Sequence, residues 1–202
     1  MIRYQPRLIF WLLVFLSSSC VTRAQAPANV PVFEITPTDS KIRFEVDASV
    51  SIEGTFKTWT AMMTFTSPDV LTGVLDIEIQ ADSVDTGSGM KNNKLKSKDF
   101  FDVKNSPLIT FKSTKIVQTG NDTFEVDGNF TIRGVTKPEK LTLKVSGAGT
   151  GAGAVTGTMA FDRKQYGMNS GIPFMRIANR VEVNINLQAR RVGGPPVVLG
   201  KF

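Results

Sequence analysis

The sequence contains no histidine, one cysteine (Cys20), two tyrosines and two tryptophans in 202 residues. Without histidine there is no Ser-His-Asp or Cys-His nucleophile system, no imidazole metal ligand and no proton shuttle near neutrality. One cysteine excludes a disulfide framework and a cysteine-rich zinc site. So few tyrosines and tryptophans cannot make the two aromatic girdles of an outer-membrane barrel. Nor is there an apolar run of the 20 or so residues that a membrane-spanning helix needs.

What the sequence does contain begins with an export signal. Arg3 and Arg7 precede nine uninterrupted apolar residues, Leu8 to Leu16, and Ala24-Gln25-Ala26 supplies a small-x-small site. This pattern predicts a bacterial secretory signal peptide (residues 1–26) cleaved after Ala26, and a periplasmic or secreted protein. Cys20 leaves the alternative of a lipid-anchored lipoprotein open. Arg3, Arg7 and Arg23 belong to the signal, so the remaining chain falls from a net charge of +6 to +3. That mild balance gives no strong case for nucleic acid, whose binding proteins usually carry a clustered basic stripe.

After a proline-bearing linker (27–32), apolar and polar residues alternate with period two. Ile42, Phe44 and Val46 alternate with Arg43 and Glu45; Leu75, Ile77 and Ile79 with Asp76 and Glu78; Leu141, Leu143 and Val145 with Thr142 and Lys144; Val181, Val183, Ile185 and Leu187 with polar residues between them. Shorter runs surround Phe65, Ile109 and Phe111, and Phe124 to Ile132 reads as two strands about an Asp127-Gly128 turn. One apolar and one polar face per strand specifies antiparallel sheet, closed or stacked, over residues 33–191. Ser88 to Lys104 lacks the period and is expected to hold a short helix. Gly147 to Gly157 reads as a flexible hairpin arm, and residues 192–202 as a tail outside the sheet.

Several ordered segments resemble the YceI-like family. They are SVDTGSGMKNNKLKSKDFFDV (Ser83 to Val103), FTIRGVTKPEKL (Phe130 to Leu141), SKIRFEVD (Ser40 to Asp47), Tyr166-Gly167-Met168-Asn169 and the last alternating strand from Arg180. Many members carry histidines where this chain has Asp47-Ala48 and Ser88, so roles resting on them do not transfer. The resemblance implies an all-β fold, a single antiparallel eight-stranded lipocalin-like barrel with a short helical excursion around 88–104. It also implies an exported binding protein that sequesters or carries an isoprenoid-type lipid, a polyprenyl or quinone tail, in its apolar interior.

An eight-stranded barrel is just wide enough for packed side chains or one slender ligand. Burying about 400 Å² of hydrocarbon would contribute on the order of 10 kcal/mol before ordering costs. The side chains expected to line one elongated apolar tunnel are Ile42, Phe44, Val46, Phe56, Phe65, Ile77, Ile79, Ile109, Phe111, Phe130, Ile132, Leu141, Leu143, Val183 and Ile185. Phe100 and Phe101 are expected at a mouth or a floor. Such a site calls for no catalytic residue, metal or cofactor. The alternative is a non-catalytic stress or interaction protein with a packed core and no lipid. Acidic pairs such as Asp99 with Asp102, or Asp76 with Glu78, are the weak remaining basis for an enzyme acting on a lipid. Five lysines from Lys91 to Lys104 leave transient contact with an anionic membrane surface open, and a homodimer is open as well.

Overall fold

The computed structural model describes residues 29–201, apart from 50, 148–149 and 172–175. The export signal and both cleavage alternatives lie outside the described residues.

Period-two alternation becomes strand wherever one side of the chain can be buried. Strand β2 (Lys41–Ala48) buries Ile42, Phe44 and Val46 and exposes Lys41, Arg43 and Glu45. The same rule generates β1 (Val32–Ile35), β3 (Ile52–Phe56), β4 (Trp59–Thr64), β5 (Val74–Gln80) and the two-residue β6 (Val84–Asp85). Helix α1 (Gly89–Lys96) follows. Then come β7 (Leu108–Gln118), β8 (Thr123–Ile132), β9 (Val135–Val145), β10 (Ala152–Asp162) and β11 (Ile177–Gly193).

All ladders among these strands are antiparallel, in the order β4-β5-β7-β8-β9-β10-β11-β2-β3-β6. Strand β1 pairs with the last residues of β11, continuing the line in which β2 pairs with its first part. Two broken strands and the two-residue β6, which pairs with β3, explain why eleven strands stand where eight were expected. A turn at Pro37–Asp39 separates β1 from β2, and Lys57-Thr58 separates β3 from β4. Counted as continuous staves, β1 with β2, β3 with β4, and β5, β7, β8, β9, β10 and β11 make the eight of a lipocalin-like plan. Because β3 and β4 are consecutive, opposite ends of the sheet meet. Gln80 N–H donates to Thr58 O at 3.0 Å and Lys57 N–H to Ser83 O at 3.1 Å across that junction.

Two local expectations are corrected. Asp127-Gly128 is not a turn, because β8 runs straight through it. The β8–β9 reversal is at Arg133-Gly134, where both residues take left-handed φ values (56° and 72°) that suit a two-residue hairpin. The Gly147–Gly157 segment is not a mobile arm throughout, because β10 begins at Ala152 and pairs along its whole length with β11. The tail likewise starts later than expected, since β11 extends to Gly193.

Candidate ligand-binding interior

The inward faces enclose three apolar cavities stacked along the barrel. The one beside α1 has a volume of about 60 Å³. It is lined by Ile42, Phe44, Val46, Phe56, Ile79, Phe100, Phe101, Ile109, Phe130, Ile132 and Val183, all anticipated from sequence. A central cavity of about 30 Å³ adds Ile77, Phe111, Leu141 and Ile185, and shares Ile42, Ile79, Phe130 and Val183 with the first. At the opposite end a cavity of about 120 Å³ contains Phe65 alone of the anticipated set. Leu143 is buried but lines none of the three. A single continuous tunnel is therefore not what the side chains leave. A cavity of about 150 Å³ accommodates a benzene, so no one compartment holds a polyprenyl tail without side-chain movement.

Each end is closed by a different device. After α1, whose N-terminus is capped by Ser88 accepting from Lys91 N–H, the chain doubles back. Phe101 N–H donates to Leu95 O at 2.9 Å. This places Phe100 and Phe101 as a buried floor. The Phe101 ring lies 6.3 Å from Phe44 and 5.9 Å from Phe56. Of the lysine cluster, Lys94 is engaged by Asp99 at 2.7 Å and sits over the Phe100 ring at 5.7 Å. Its ammonium, hydrogen-bonded to Asp99, holds that carboxyl below its ordinary value.

At the other end the C-terminal tail crosses the mouth. Val198 N–H donates to Pro68 O at 2.8 Å, and Val198 O accepts from Val70 N–H at 3.1 Å. Gly200 N–H donates to Gln118 Oε1, whose amide returns a bond to Gly200 O. Pro196, Val197 and Leu199 thereby line the 120 Å³ cavity together with Phe33, Ile35, Met63, Leu75 and Leu187. Phe33 and Phe65, 5.9 Å apart, pack where β1 and β4 run side by side. Apart from Phe65, none of these was anticipated as lining, although the alternation in Val32–Ile35 and in Leu75 and Leu187 carries the signal.

Wall glycines shape the lumen. A Cβ on Gly54 would lie 2.6 Å from the Phe44 ring, and one on Gly128 would strike the Phe111 ring. Those rings therefore occupy the space that a side chain at either glycine would take. The charged residue missed by sequence reasoning is Arg163, 6% exposed. It lines the cavity beside α1 and donates to Ala178 O at 2.9 Å, Ser170 O at 3.0 Å and Met168 O. A charge anchored by carbonyls ties the turn after β10 to β11. Among the described residues no three acidic side chains gather into a metal-binding group.

A barrel of this plan, with an apolar interior and a floor beside α1, is matched by known proteins. The YceI-like domain matches residues 33–189. The chain belongs to the YceI-like family. It is 35% identical over 96 residues to Protein YceI of Salmonella arizonae, covering 48% of this chain and 50% of that protein. The chain spans about half the length of most of the curated relatives it matches. Among solved structures, BcnA of Burkholderia cenocepacia aligns with a TM-score of 0.70 and 25% identity, over 77% of this chain and 99% of that one. A polyisoprenoid binding domain from Saccharophagus degradans shares the fold, with a TM-score of 0.64 and 16% identity over 80% of this chain and 99% of that one.

Proposed function

We propose that this YceI-like chain binds the isoprenoid tail of a lipid along its barrel axis and sequesters or carries it outside the cytoplasm. The observation that carries the proposal is the run of apolar cavities from the tail-covered mouth to the Phe100–Phe101 floor. Family membership and the polyisoprenoid-binding relative support it. Affinity comes from hydrocarbon removed from water, at about 25 cal/mol per Å², with no bond made or broken. The head group stays at the mouth, where, among the described residues, Arg191 is the only charged side chain lining the cavity. The division of the interior favours the packed-core reading as the competitor.

Organic extraction of the protein purified from its native host, followed by mass spectrometry, separates the two. A stoichiometric long-chain isoprenoid is expected. An empty barrel that also fails to take up farnesol or geranylgeraniol from vesicles would leave the packed core. The export half of the proposal is read from the mature N-terminus, expected at Pro27; a diacylglyceryl mass on Cys20 would replace a free protein with an anchored one.

A further inference from the structure

The inward positions can be followed strand by strand from the tail end to the floor. On β5, Leu75 lines the mouth cavity and the next inward residue, Ile77, lines the central one. On β11 the same step runs from Leu187 to Ile185. On β9 and β10 a position intervenes. Val145 and Val155 line the mouth cavity, Leu141 and Met159 the central one, and Leu143 and Gly157 between them line neither.

Leu143 and Gly157 face each other in the β9–β10 register. A Cβ at 157 would lie 2.6 Å from Leu143 Cδ2 and 2.7 Å from Ile185 Cγ1, so both side chains lean over the glycine and meet there. Phe124, the register partner of Leu143 on β8, and Val126 are 2% and 0% exposed and also line neither cavity.

We infer that Leu143, seated over Gly157 with Phe124 and Val126 beside it, is a partition that sets the length of apolar chain this interior accepts. The inference rests on the reading of the interior as a site for an isoprenoid chain. A chain entering under the tail meets the partition below Leu187 and stops. A longer chain reaches Ile185 and the central cavity only when Leu143 leaves its place over Gly157. Leu143 is the movable member, since it is free of β-branching and rests on a residue with no side chain, whereas Val126 is stiff at χ1.

The test is equilibrium binding of geraniol, farnesol and geranylgeraniol, each longer by one isoprene unit, to the wild type and to Leu143→Ala. In the wild type affinity stops rising once the chain reaches the partition. In the variant it continues to rise, about fourfold for each further buried methylene. Geranylgeraniol therefore gains at least tenfold while geraniol is unchanged. Coincident length profiles for the two folded proteins overturn the partition.

Xenon titration of the wild type, followed at the Leu187 and Ile185 methyls, supplies a measurement that needs neither the variant nor a lipid, with an apolar probe smaller than benzene. Two separate affinities are expected, and one shared response at both methyls overturns the partition. If no prenol binds either protein but xenon reports two compartments, the lipid reading fails and the partition stands.

Discussion

Tyr166 is fully buried, with its ring 5.6 Å from Phe130 and 5.3 Å from Phe161. Its hydroxyl donates to Glu139 Oε1 at 2.7 Å. Burial first, then the bond to Glu139 and that carboxylate's charge, push the phenol well above the ordinary value of 10.0. Because the folded state holds this proton more tightly than the unfolded one, the contribution is fully present below pH 10 and is lost as pH rises further. Cleavage after Ala26 removes Tyr4 and leaves Tyr166 as the sole tyrosine, so ultraviolet titration reads it alone. Phenolate absorbance is expected only as the protein unfolds in alkali. Tyr166→Phe is expected to cost about 1 kcal/mol in chemical denaturation at neutral pH and to flatten the alkaline loss of stability.

Helix α1 and the junction between β3 and β4 are linked through Asp85 on β6. Lys57 Nζ lies 2.7 Å from its carboxylate, Gly87 N–H donates at 3.0 Å and Asn92 Nδ2 at 3.3 Å. The Lys57 bond, then Gly87 and Asn92, hold the carboxyl at about 2 against an ordinary 3.8. Its stabilisation is present above pH 4 and is lost as pH falls toward 2. Melting temperature followed against pH is expected to fall less steeply over that window in Asp85→Asn. Strand β8 carries a different constraint. Gly128→Ala places a methyl against the Phe111 ring and is expected to cost about 1–3 kcal/mol by overpacking, measured by denaturant unfolding. The same geometry explains two misreadings. Asp127-Gly128 has the composition of a hairpin turn, but its glycine is there to seat a ring. In β10, Val155, Met159 and Phe161 alternate with Thr156 and Thr158, yet inward Gly153 and Gly157 interrupt the hydrophobic pattern and hide the strand.

Across the whole barrel the two ends differ in how they are sealed. The floor is part of the continuous core through Leu95, Phe100 and Phe101. The mouth is covered by a short tail held by bonds to Pro68, Val70 and Gln118. Deleting residues 195–202 is expected to leave the strand content by circular dichroism unchanged and to raise fluorescence of an apolar dye, as Val197 and Leu199 uncover the cavity. An unchanged dye signal would show that the mouth is sealed by something else. Most of the lining beside α1 was legible before any coordinates, because alternation is a property of local backbone geometry: once Ile42 faces inward, Phe44 and Val46 must follow. Family membership was legible for the same reason, carried by contiguous segments. The division of the interior was not. It depends on Leu143, Gly157, Ile185 and Phe124, residues of four strands that meet only after the sheet has curled. A cavity is the volume their side chains leave unfilled, and no single strand's periodicity encodes that remainder.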